Sequence, residues 1–103
     1  MMRWPDLFPL GVALEGLAAR MTGAGIEYDE HQLRDVDIHL ATYREHQHGA
    51  QEAMTRGDIY NTLVENTDAE INLAFAYIVA SRILSPDART QAFANVRDAV
   101  SNS

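Results

Sequence analysis

Residues 71–84 read INLAFAYIVASRIL, fourteen positions of which eleven are hydrophobic and one, Arg82, is charged. At about 100° of rotation per residue, Ile71, Phe75, Ile78 and Arg82 share one helical face. Leu73, Tyr77, Ala80 and Leu84 share the roughly opposite face, and Ala74, Ala76, Val79 and Ile83 fill the gaps. A helix apolar on every side has to be covered on every side. A bilayer would do this, but crossing it takes about 20 apolar residues. This run is shorter and carries Asn72 and Arg82. A buried strand is the other reading of a short apolar run, and here the length and the interior alanines favour helix. The expected cover is the rest of the chain together with a second copy of it.

The 103 residues are expected to form one α-helical domain over 9–103, with an N-terminal arm at 1–8. Trp4 precedes Pro5, which biases it toward extended backbone, so the arm is expected to pack its indole on the body or on a partner. Pro9 suits a helix start, and Leu10, Leu14, Leu17 and Met21 follow at 4-3-4 spacing until Gly23-Ala24-Gly25 ends the helix. Asp29 with Gln32 resembles a capping box and opens a second helix, which runs to Thr55 or Arg56 with Gly57 as a left-handed cap. Leu33, Val36, Leu40, Tyr43, Gln47, Ala50 and Met54 give that helix a heptad seam. Asp58 caps a short helix over 59–65, and Asn66-Thr67-Asp68 breaks the chain. Thr67 with Glu70 forms the capping box that opens the central apolar helix. Ser85-Pro86-Asp87 then starts a last helix that ends near Val100. No alternation of strand type interrupts this pattern. The fold expected is all-α, a compact bundle of four to five helices around the highly apolar one.

Charge narrows the partners. Residues 27–70 hold eleven of the fifteen acids against Arg34, Arg44 and Arg56, a net of −8 in a chain whose total is −7. A phosphate-binding surface needs the opposite sign, so direct contact with nucleic acid is not expected. A helix-turn-helix over 58–84 would present an almost wholly apolar recognition helix. The chain has no cysteine, which removes disulfides and thiolate metal sites. Glu15 interrupts the apolar stretch near the N-terminus, so no secretory signal is read there, and a cytoplasmic, non-membrane protein is expected.

Candidate chemistry is sparse. His31, Asp35, His39, Thr42 and His46 fall on one stripe of the second helix, residue types that bind divalent metals or titrate near neutral pH. His39 and His46 lie about 10 Å apart along the axis, too far for one ion held by a single helix. Glu45 and His48 have the Glu-x-x-His spacing of di-iron bundles but point away from the seam. No glycine-rich phosphate loop and no activated serine is present. The expected protein is therefore a non-enzymatic regulator or adaptor without cofactor or metal, working as a helical homodimer that binds another protein. Its contact residues are expected to be Trp4, Leu33, Val36, Leu40, Tyr43, Ile71, Phe75 and Ile78. The alternative is a metal-binding helical protein or enzyme that uses the histidines and carboxylates of the second helix.

Overall fold

A computed structural model describes the backbone of residues 4–102 and the side chains of residues 12–102. Three helices account for nearly all of it: α1 (Trp4–Thr55), α2 (Ile59–Ser81) and α3 (Pro86–Ser101), with no strand among the described residues. The molecule measures 82 × 20 × 16 Å. At 1.5 Å per residue, the 52 residues of α1 span about 78 Å and set that length alone. An elongated three-helix arrangement thus replaces the compact bundle of four to five helices.

Two expected breaks are absent. Helix α1 passes through Pro9, Gly23 and Gly25 and already includes Trp4, inside the expected arm. Pro5 lies in its first turn, where the missing N–H costs nothing. Each interior glycine costs about 1 kcal/mol relative to alanine, too little to stop a helix between good helix formers. Helix α2 likewise runs through Asn66-Thr67-Asp68. Thr67 does not cap, because its hydroxyl donates back to the Leu63 carbonyl at 2.9 Å. Asp29 does not cap either and sits in mid-helix.

The real punctuation lies where backbone and cap agree. Gly57 has φ +70°, the left-handed conformation that ends α1. Asp58 accepts from the Asn61 N–H at 3.1 Å and caps α2. Ser85 caps α3, with Pro86 first in the helix and Asp87 in its first turn.

Helix α2 folds back antiparallel on the second half of α1, bringing Glu65 beside His46, Asn72 beside His39, and Leu84 and Ser85 beside Asp29. Helix α3 returns along both. The core comprises Val36, Leu40 and Tyr43 of α1, Ala69, Ala76, Val79 and Ala80 of α2, Ile83 of the connection, and Ala92, Val96 and Ala99 of α3. Five of these eleven are alanines. Small side chains let the helices approach closely, but a buried methyl stabilises by only about 0.8 kcal/mol, against about 1.5–3 for a buried leucine or phenylalanine.

The apolar run is therefore not a wrapped central helix. Ala76, Val79 and Ala80 face inward, while Ile71, Ala74, Phe75, Tyr77 and Ile78, with Leu84 just beyond, are exposed. Phe75, expected in the core, is 49% exposed.

Candidate protein-interaction surface

Two uncovered apolar stripes define the surface, and each follows from how far the neighbouring helices reach. Helix α2 ends level with Asp29, so the first half of α1 projects beyond the body. On this overhang Leu14, Leu17 and Met21 are exposed and share a face at helical spacing, with Tyr28 further along the same stripe. Of the 4-3-4 spacing expected from Leu10 to Met21, Leu14, Leu17 and Met21 stand as a stripe on a helix exposed throughout positions 12–24, and the Leu10 side chain lies outside the described residues.

The second stripe lies on α2. Tyr60, Val64, Thr67, Ile71, Ala74 and Ile78 repeat at 4-3-4-3-4 spacing, all exposed, with Phe75 beside them. It is continuous only because α2 does not break at 66–68. Below it, at the tip of the hairpin, Met54, Gly57, Asp58, Ile59, Thr62 and Leu63 line a shallow apolar hollow. Tyr60, Val64 and Thr67 were absent from the expected contact set. Their signal was in the sequence, but an assumed break cut the repeat in two.

The expected contact residues divide by position. Val36, Leu40 and Tyr43 lie in the chain's own core, with Leu33 packed against it, so in this fold they offer little surface to a partner. Ile71, Phe75 and Ile78 face solvent together on one side of α2. The Trp4 side chain and residues 1–3 of the expected arm lie outside the described residues.

Polar contacts fasten the helices beneath these stripes. Both carboxylate oxygens of Asp29 accept backbone N–H bonds from the connection after α2, from Leu84 at 2.7 Å and Ser85 at 2.9 Å, and Asp29 is the only buried charged residue among those described. Its acid was legible, but its task was not, because the partners lie 55 and 56 positions away. His46 Nδ1 meets Glu65 Oε2 at 2.5 Å, and His39 Nδ1 meets Asn72 Oδ1 at 3.3 Å while its ring stacks on Phe75 at 5.5 Å. These imidazoles stitch α1 to α2. His31 pairs with Asp35 and His48 with Glu52 on exposed helix surface.

Among the described residues no group of three or more histidines and carboxylates stands close enough to hold a metal ion. The stripe spacing separates His39 from His46, and each has found a different partner on α2. Glu45 and His48 both face solvent. No helix among the described residues is long and apolar enough to cross a membrane. The acids Glu30, Asp37, Glu45 and Glu52 are exposed along the side of α1 away from its seam. Compared with protein-family models, with curated proteins and with solved structures, the chain matches none.

Proposed function

We propose that this is a small, non-enzymatic regulatory or adaptor protein of the cytoplasm, which acts by binding another protein and does so as a helical homodimer. One observation carries the reading: α2 meets the core mainly through Ala69, Ala76, Val79 and Ala80 and turns Tyr60, Val64, Ile71, Phe75 and Ile78 outward. Burying Ile71, Phe75 and Ile78 inward would have stabilised the monomer more than burying Ala69, Ala76 and Ala80 does. A contiguous exposed apolar surface of this kind marks a protein-interaction site. The acidic outer side of α1 supplies a second surface, suited to a basic partner.

The test pairs light scattering with affinity capture from the native host. Wild-type protein is expected to have a dimeric mass and to retain a specific protein. The folded variant Ile71→Glu is expected to lose self-association. A wild type that is monomeric at micromolar concentration and retains nothing beyond an unrelated helical control would refute the reading.

A further inference from the structure

We infer that a second copy of this chain covers both stripes at once, the overhang of each α1 lying along the outward face of the other copy's α2. This rests on the homodimer reading and specifies its geometry.

The first support is length. Residues 4–28 of α1 project for about 37 Å, and the 23 residues of α2 span about 35 Å. Asp29, where the cover by α2 ends, is also the midpoint of α1 within one residue. Two α1 helices placed antiparallel over their full length therefore set each overhang beside the other copy's body, with neither end left over. A two-fold arrangement of this kind closes on itself.

The second support is register. Within the chain, His46 stands level with Glu65 and His39 with Asn72. Combined with full antiparallel overlap of the α1 helices, these pairings place Leu17 level with Ile71 of the second copy and Met21 level with its Phe75, within about one turn. Those positions belong to the two exposed stripes, and both stripes have the 3–4 spacing by which helices interlock side by side.

The third support is charge. Two copies meeting through residues 27–70 would each bring a net of −8 to the contact. The overhang brings less, since residues 4–28 carry Asp6, Glu15, Glu27 and Arg20, a net of −2. The segment 71–84 carries Arg82 alone. Helix α2 adds Glu65, Asp68 and Glu70 in its first half and no charge from 71 to 81, so the overlap opposes stretches of −2 and −3 where a contact through 27–70 would oppose −8 and −8.

The absence of native cysteine allows a direct test. Leu17→Cys and Ile71→Cys are prepared separately, mixed, and treated with a short bis-maleimide, with mass and helix content followed in parallel. The expected result is a cross-linked dimer joining position 17 to position 71, formed only in the mixture, and no product when Leu17→Cys is mixed with Ile59→Cys. In addition, Leu17→Glu with Met21→Glu is expected to weaken self-association at least tenfold while helix content is kept. A dimeric mass with cross-links of 17 to 17 or 71 to 71 instead would overturn this docking and leave the homodimer standing. A monomeric mass would remove both.

Discussion

At the residue scale, Asp29 and Phe75 exchange the roles that their chemistry suggests. The acid is buried and the phenyl ring is half exposed. Asp29 reaches two backbone N–H groups that have no helical partner at the end of α2, and a carboxylate can accept both at once. Asp29→Ala is expected to cost about 1–3 kcal/mol, the usual cost of stranding buried donors. The amides of Leu84 and Ser85 should then lose protection from hydrogen exchange ahead of the rest of α2. Urea melts within about 0.5 kcal/mol of wild type would show that water satisfies these groups as well as Asp29 does. Phe75→Ala in dilute protein is expected to cost about 1 kcal/mol, well short of the roughly 3–5 typical of a buried aromatic, because about half the ring is already in water. A dilute-solution loss of the full core value would place the ring inside the monomer.

At the element scale, the termini of α2 and α3 were legible and the interiors of α1 and α2 were not. Asp58, Ser85-Pro86 and Gly57 act through groups within three residues of themselves, so their sequence context contains the whole interaction. Thr67-Glu70 and Asp29-Gln32 have capping patterns too, but a continuous helix already satisfies the backbone there. The 4-3-4 stripe of the overhang was legible because its apolar residues are sparse. The run 71–84 was not, since a segment apolar on every side carries no sign of which side faces in. The choice was made by alanine size at the helix contacts, which only the partner helices reveal. The Asp58 cap has a testable pH signature. The Asn61 backbone N–H, then its side-chain amide, and the Arg56 charge hold the Asp58 carboxyl below its usual pKa of 3.8, against a smaller opposing effect of desolvation. A carboxyl depressed in the folded state stabilises above the unfolded pKa and loses that contribution as pH falls through the folded one. Asp58→Asn keeps the cap but not the charge. The melting advantage of wild type over Asp58→Asn should therefore be present at neutral pH and shrink as pH falls through the carboxylate range. An advantage independent of pH would mean that the charge contributes nothing to the cap.

At the scale of the whole molecule, a helix of 52 residues that is exposed throughout positions 12–24 cannot draw its order from one chain's core alone. Association supplies what the alanine contacts do not, and charge then governs how association responds to salt. Each copy carries −7, so two copies repel at long range. Salt screens that repulsion with a Debye length of about 30 Å at 0.01 M and about 8 Å at 0.15 M. Self-association driven by apolar contact should therefore tighten on going from low to physiological ionic strength, and the melting temperature at fixed concentration should rise with it. A basic partner held by Glu30, Asp37, Glu45 and Glu52 should respond in the opposite sense, its association slowing as the same salt is added. The two effects are separable in one series. Sedimentation across the salt range reads the dimer, and stopped-flow association reads the captured partner. A dimer that weakens with salt would mean that charge pairs, not the Leu17 and Ile71 stripes, hold the copies together. A partner whose association is flat across the range would move its contact from the acidic side of α1 to the apolar tip around Met54, Ile59 and Leu63.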